Sequence, residues 1–261
     1  MVTQTPELPF TGLTLSGVAA RYANGTEALR DLDLTVMPGE RLVVVGPSGA
    51  GKSTLLRLMA GLMAPTSGTI RWGNATAPRP GSIGVVFQDP TLLPWRSALG
   101  NVALPLRVRG VPQRAAREAA YEGLRAMGIA DFAHAVPAEL SGGMRMRVAL
   151  ARALITGPDL LLFDEPFAAL DEITRFRLND DLLALAATAR VSLVFVTHSI
   201  FESAYLASRV LVLSPRPGRI VDGLEFPPQD PAGPSFRTAE AFRLRTAAIS
   251  TALTRAMGEG P

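Results

Sequence analysis

No cysteine occurs in this chain. That absence removes disulfides, zinc–thiolate centres and cysteine nucleophiles together. Histidine is nearly as scarce: His134 and His198 are the two residues present, too few for a His-rich metal site. No apolar run reaches the ~18 residues that a membrane-spanning helix requires. The opening stretch MVTQTPELPFTG lacks the basic-then-apolar pattern of a secretory signal, so a cytosolic location is expected. Charge is modest as well. The formal net value is +3, arginine dominates the cations, and no like-charged block forms. A nucleic-acid surface would need clustered basic residues, and none cluster here.

Apolar residues, by contrast, are abundant. They make up 48 % of 261 residues, enough to bury a sizeable core and to argue against disorder. Residues 1–10 read as a loose arm. Residues 13–36 alternate, most cleanly at Leu32, Leu34 and Val36 with Asp33 and Thr35 between, which predicts antiparallel strands. Four short runs are apolar almost throughout: RLVVV at 41–45, LLLF at 160–163, SLVFV at 192–196 and RVLVL at 209–213. Strands apolar on both faces belong to a covered, typically parallel sheet. A helical pattern follows each of the first three, as in βα units. Between about 89 and 157 strand-like runs vanish, and helices are expected over 112–128 and 141–155 as an inserted helical sub-domain. A Pro-rich linker at 226–236 leads to a last amphipathic helix near 238–257. The expected division is an α/β unit over 12–225 followed by a linker and helix over 226–261. No internal repeat is found.

The chemistry begins at GPSGAGKST, which comprises Gly46, Pro47, Ser48, Gly49, Ala50, Gly51, Lys52, Ser53 and Thr54. It fits G-x-x-x-x-G-K-[ST], with an apolar strand before it and a helical TLLRLMAGL after it, the context a phosphate-binding loop needs. Backbone N–H groups wrap the β-phosphate in such a loop, Lys52 neutralises β- and γ-oxygens, and the Ser53 hydroxyl ligates Mg²⁺. With average residue usage the pattern arises by chance in roughly 1 % of chains this long, so a mere Gly-rich turn is the poorer reading. Further on, LLLFDEP ends a buried strand in Asp164 and Glu165, at the edge where open α/β sheets bind ligands. Asp164 is expected to hold Mg²⁺, directly or through water. Glu165 is expected to polarise the attacking water.

A second anion grip lies at LSGGMRMRVALARAL, residues 140–154. Ser141 is a good N-cap, and Gly142 and Gly143 leave the first turn's N–H groups bare. LSGG at 140–143, LLLFDEP at 160–166, ALD at 169–171 and VTH at 196–198, in that order behind the phosphate loop, resemble an ABC-type ATPase over roughly residues 12–220. The resemblance implies an α/β fold, a RecA-like P-loop core with an antiparallel β sub-domain and an inserted helical sub-domain. It also implies a homodimer that sandwiches ATP and Mg²⁺, the phosphate loop of one subunit facing the LSGG helix of the other. Ser141, Gly142, Gly143 and Asp171 would then serve the partner's nucleotide. Tyr22 resembles the aromatic that stacks on adenine, or is an ordinary strand tyrosine. Gln88 resembles the glutamine that reaches Mg²⁺ and the water, and His198 the switch histidine at the γ-phosphate. Glu165, His198, Gln88 and Lys52 form the expected catalytic set. Met144 departs from the family's usual glutamine.

The insert is too short for the coiled coil of a DNA-repair member, and a single phosphate loop argues against a two-halved ribosomal member. A separate transporter subunit is left. In DPTLLPWRSALGNVALPL, residues Leu92, Leu93, Pro94 and Trp95 form an apolar stretch beside Arg96. That composition suits an interface anchor; alternatively Trp95 tucks into the helical sub-domain. By resemblance this region receives the permease. LLPWRSALGNVALPL together with SPRPGRIV at 214–221 most resembles the ATP-binding subunits of nitrate/sulfonate/taurine importers, although SPRPGRI is equally a turn shaped by Pro215, Pro217 and Gly218. The implied partners are permease subunits and, indirectly, a solute-binding protein, with the chain peripheral on the cytoplasmic face of the inner membrane and no nucleic acid bound. The alternative is a soluble nucleic-acid-associated ABC ATPase. Export stays open, because the ATPase motifs are shared between directions.

Overall fold

The computed structural model describes residues 10–189, 191–227 and 234–258. Its strands are β1 (Leu13–Arg21), β2 (Glu27–Val36), β3 (Arg41–Val45), β4 (Ser67–Trp72), β5 (Ile83–Phe87), β6 (Leu160–Asp164), β7 (Ser192–Val196), β8 (Arg209–Leu213) and β9 (Ile220–Glu225). Its helices are α1 (Lys52–Met59), α2 (Ala98–Val108), α3 (Gln113–Ala126), α4 (Gly142–Leu154), α5 (Glu172–Ala189), α6 (Ile200–Leu206) and α7 (Glu240–Gly258).

The four apolar runs become β3, β6, β7 and β8, in a six-stranded sheet ordered β5–β6–β7–β3–β8–β9. All its pairings are parallel except β8 with β9. Successive strand residues point to opposite faces, and both faces are covered. Leu42, Val44, Leu160, Leu162, Val194 and Val196 pack toward α1 and the antiparallel sheet. Val43, Val45, Leu161, Phe163, Leu193 and Phe195 pack toward the other helices. The alternating region forms β1 and β2 as expected, joined by β4 in a three-stranded sheet ordered β2–β1–β4.

The expected helices over 112–128 and 141–155 appear as α3 and α4, with α2 packed against both. Among the described residues no helix is long and apolar enough to cross a membrane. The expected arm at 1–10 lies outside the described residues save for Phe10. The expected linker at 226–236 lies partly outside them too, and its visible end is not a linker. Residues Pro234–Thr238 form a 3-10 turn, where Phe236 is buried against Tyr205 and Phe242. Aromatic burial fixes this segment, and the last helix starts at Glu240 rather than near 238.

Candidate active site

Because β3, β5, β6, β7 and β8 run parallel, the residues that follow them gather at one edge of the sheet. The phosphate loop follows β3, Gln88 follows β5, Glu165 follows β6, His198 lies just beyond β7, and the SPRPGR turn follows β8. A cleft of about 360 Å³ opens there, lined by Tyr22, Ser48, Lys52, Glu165, His198 and Arg216 among others.

The loop's path demands glycine at position 51. Gly51 has φ 90°, and a Cβ there would stand 2.6 Å from Leu29 Cδ2 and 2.7 Å from the Ala28 carbonyl oxygen, so a side chain is excluded. Lys52, the only lysine in the chain, is buried. Its Nζ donates to the carbonyls of Gly46 at 2.9 Å and Pro47 at 3.0 Å. Burial pushes its pKa down, with Glu165 and Asp164 pulling the other way. The Tyr22 hydroxyl and Thr54 Oγ1 share a hydrogen bond of 2.7 Å, which ties Tyr22 to the last residue of the loop.

Ser53 Oγ donates to Asp164 Oδ1 at 2.9 Å. Burial pushes the Asp164 carboxyl up, and the Ser53 hydrogen bond opposes it. A hydroxyl beside a partly desolvated carboxylate is a pair of hard oxygen donors, the set that Mg²⁺ takes alongside phosphate oxygens and water. Glu165 has φ 47°, a region uncommon for a glutamate and a form of strain found at functional sites. Its N–H donates to the Val196 carbonyl at 2.9 Å, and its Oε2 lies 2.9 Å from His198 Nδ1.

Gln88 does not join this group: it is exposed beyond β5 and does not line the cleft. The second grip lies elsewhere on the same subunit. Ser141 caps α4 as expected, its Oγ accepting from Met144 N–H at 3.3 Å. A Cβ on Gly143 would stand 2.7 Å from Thr174 Cγ2, and one on Gly142 would stand 3.3 Å from Leu170 Cδ2. The LSGG turn and the Asp171 loop therefore form one patch. Asp171 Oδ1 accepts from Thr174 N–H at 3.0 Å, and such bonds hold its carboxyl below the usual range. None of these residues lines the cleft.

Trp95 is 74 % exposed, so it does not tuck into the helical sub-domain. Leu92 packs on the helical core, Leu93 is half-buried and Pro94 is exposed. The loop is held from below by Asn101, fully buried, whose Oδ1 accepts from Leu93 N–H at 2.7 Å while Nδ2 donates to the Arg96 carbonyl at 3.1 Å. Asn101 and Arg216 escape the sequence reading. SPRPGR is legible as a turn, but not its seat. Gly218 N–H donates to the Ala28 carbonyl at 2.9 Å, a Cβ on Gly218 would collide with the Ala50 carbonyl oxygen, and Arg216 Nε comes within 3.4 Å of the Gly49 carbonyl.

The sequence profile of the ABC transporter family matches residues 29–168. The taurine import ATP-binding protein TauB of Rhizobium johnstonii is 46 % identical over 204 residues, 78 % of either chain. The protein of the same name from Pseudomonas aeruginosa is 44 % identical over 238 residues, 88 % of this chain and 90 % of that one. Among solved structures, a dimeric ATP-binding cassette in a post-hydrolysis state with ADP and Pi superposes with a TM-score of 0.74 at 32 % identity, over 83 % of this chain and all of that one.

Proposed function

Since the chain belongs to the ABC transporter family of ATP-binding proteins, we propose that it is the ATP-hydrolysing subunit of a binding-protein-dependent importer for taurine or a related small solute. One observation carries the reading. Several relatives matched over about four-fifths of this chain are named for taurine import.

In this reading residues 12–225 form the ATPase unit, with the helical insert at about 89–157, and 226–261 are appended to it. Lys52, Ser53, Thr54 and the loop's backbone N–H groups bind the triphosphate, and Tyr22 stacks on the adenine. Ser53 and Asp164, with Gln88 brought in, hold Mg²⁺, which neutralises phosphate oxygens. Glu165 orients the attacking water and accepts its proton, while His198, fixed by Glu165, senses the γ-phosphate. Ser141, Gly142, Gly143 and Asp171 serve the nucleotide of a second copy, so two chains enclose two ATP molecules. The partners are a membrane permease, contacted through Leu92, Leu93, Pro94 and Trp95, and through it a solute-binding protein. The chain would sit peripherally on the cytoplasmic face of the membrane. ATP drives the permease only by its different affinity for the open and closed dimer.

The test is to tag the chain in its native host, extract in mild detergent, and identify what co-purifies. A multi-span membrane protein in equal amount, with uptake of taurine lost in the Lys52→Ala strain, is the expected result. Recovery with nucleic acid and without a membrane protein, or normal uptake by that strain, overturns the reading.

A further inference from the structure

Glu202 has no part in the chemistry above, yet it is a nearly fully buried carboxylate four residues after His198. It lies on α6, immediately after the His198 loop. Thr197 Oγ1 donates to Glu202 Oε2, and the same Thr197 oxygen accepts from Ser199 N–H at 3.0 Å. The two residues flanking His198 are therefore pinned through one carboxylate. Burial pushes that carboxyl up, with Thr197 and then Arg175 acting against it.

On the other side stands Arg175, on the first turn of α5. Its Nη2 donates to the Leu170 carbonyl at 2.9 Å, and its backbone N–H donates to the Asp171 carbonyl at 2.9 Å. Arg175 thus holds the loop read as serving the partner's nucleotide. Its Nε lies 3.9 Å from Glu202 Oε1, too far for a hydrogen bond, and is buried with no hydrogen-bond partner. Beside the pair is a cavity of about 230 Å³ between α5 and α6, lined by Arg175, Asn179, Glu202 and Tyr205 among others. Asn179 Oδ1, one turn further along α5, is also buried without a partner.

An ion pair kept only for stability should be closed and satisfied, because a half-made buried pair is worse than an apolar contact. Here the pair is open, Arg175 Nε is unused, and a cavity lies beside it. We infer that Arg175 and Glu202 are a positioning pair that couples the Leu170–Asp171 loop, facing one nucleotide, to Thr197 and His198, facing the other. Closing of the 3.9 Å gap would draw the two loops together when a partner subunit presses on Asp171. The inference rests on the roles proposed above for Asp171 and His198.

The experiment measures steady-state ATP hydrolysis and thermal melting of the full-length chain and two variants. Glu202→Gln is isosteric and keeps an acceptor for Thr197, but it removes the charge facing Arg175, whose Nε is buried. The double variant Arg175→Met, Glu202→Gln removes both charges. Glu202→Gln is expected to melt no earlier than the wild type at neutral pH, because burial already raises the pKa of that carboxyl, and the melt of the double variant checks that it folds. Both are expected to show kcat lowered about tenfold or more with KM for ATP within about twofold, the signature of misplaced groups rather than lost binding. Recovery of wild-type kcat by the double variant assigns the pair a purely structural role and overturns the inference, as does a change confined to KM. A wild-type chain that hydrolyses no ATP fails the ATPase reading instead, and is told apart at once.

Discussion

Glu165 Oε2 and His198 Nδ1 meet at 2.9 Å although the two residues follow different strands. The sheet's register brings this about. Neighbouring β6 and β7 pair Asp164 with Val196, so the residues just past each strand's end lie side by side. Replacing the carboxylate by an amide in Glu165→Gln preserves shape and removes the proposed base. The variant should bind ATP, hydrolyse it at least about 100-fold more slowly, and accumulate as a dimer. Light scattering in ATP and Mg²⁺ checks this, and a persistent monomer would count against the shared-nucleotide arrangement.

Asp164 gives a prediction in the opposite direction. Its folded-state pKa is raised above the unfolded value near 3.8, chiefly by burial. The folded protein therefore binds more protons than the unfolded chain just above that pH. The sign follows from linkage: the group's favourable contribution is present below the unfolded pKa and is lost as pH rises through the folded pKa. Asp164→Asn removes the desolvated charge while keeping an acceptor for Ser53. It should be more stable than the wild type at neutral pH, with the gap shrinking toward pH 4, and it should lose Mg²⁺-dependent hydrolysis. Denaturant melts at the two pH values, without nucleotide, decide it; a variant less stable at neutral pH contradicts the argument.

Much of this was legible in the sequence where residues signal locally. The runs that became β3, β6, β7 and β8 are apolar on both faces, and the phosphate loop and Ser141 cap are short contiguous patterns. What the sequence hid depends on distant partners. β4 buries only Ile70 and exists because β1 offers it a ladder, so no hydrophobic pattern marks it. β5 holds Gly84, where a Cβ would lie 2.6 Å from both the Ala153 carbonyl oxygen and Leu161 Cδ2; that close fit, invisible in the sequence, explains a glycine inside a strand. α2 carries Pro105, ordinarily a helix breaker, and its first N–H groups are met by the Ser97 Oγ cap and by the distant Ala133 and Ala135 carbonyls. The alternatives for Trp95 are equal in sequence because exposure is decided by what Asn101 does beneath it.

Lys52 being the only lysine permits a direct chemical test of the cleft. Amine-directed reagents attack the neutral amine, and burial lowers the Lys52 pKa, which raises the neutral fraction at a given pH. Apart from any free α-amino group, modification should fall on this one position, inactivate hydrolysis, and be slowed by ATP. Lys52→Arg keeps a charge and should resist the reagent. Peptide mass spectrometry after timed labelling reads the result; labelling at an unchanged rate in saturating ATP would separate Lys52 from the nucleotide.

Trp95 and Asn101 make opposite predictions for the same loop. Trp95 is 74 % exposed, and surface side chains of this kind change stability by less than about 0.5 kcal/mol when truncated. Trp95→Ala should therefore melt like the wild type yet recover less permease. Asn101 is fully buried and bonds Leu93, Arg96 and Ser97 main-chain groups. Asn101→Ala strands those groups and should destabilise by about 1–3 kcal/mol, loosening the Trp95 loop and lowering permease recovery by that route. Fluorescence separates the two effects. The chain has two tryptophans, and Trp72 is anchored by its Nε1, which donates to the Met59 carbonyl at 2.8 Å. In a Trp72→Phe background the emission reports Trp95 alone: water-exposed in the free subunit, shifted to the blue when the permease covers it. No shift on adding permease, with binding intact, would move the contact away from this loop.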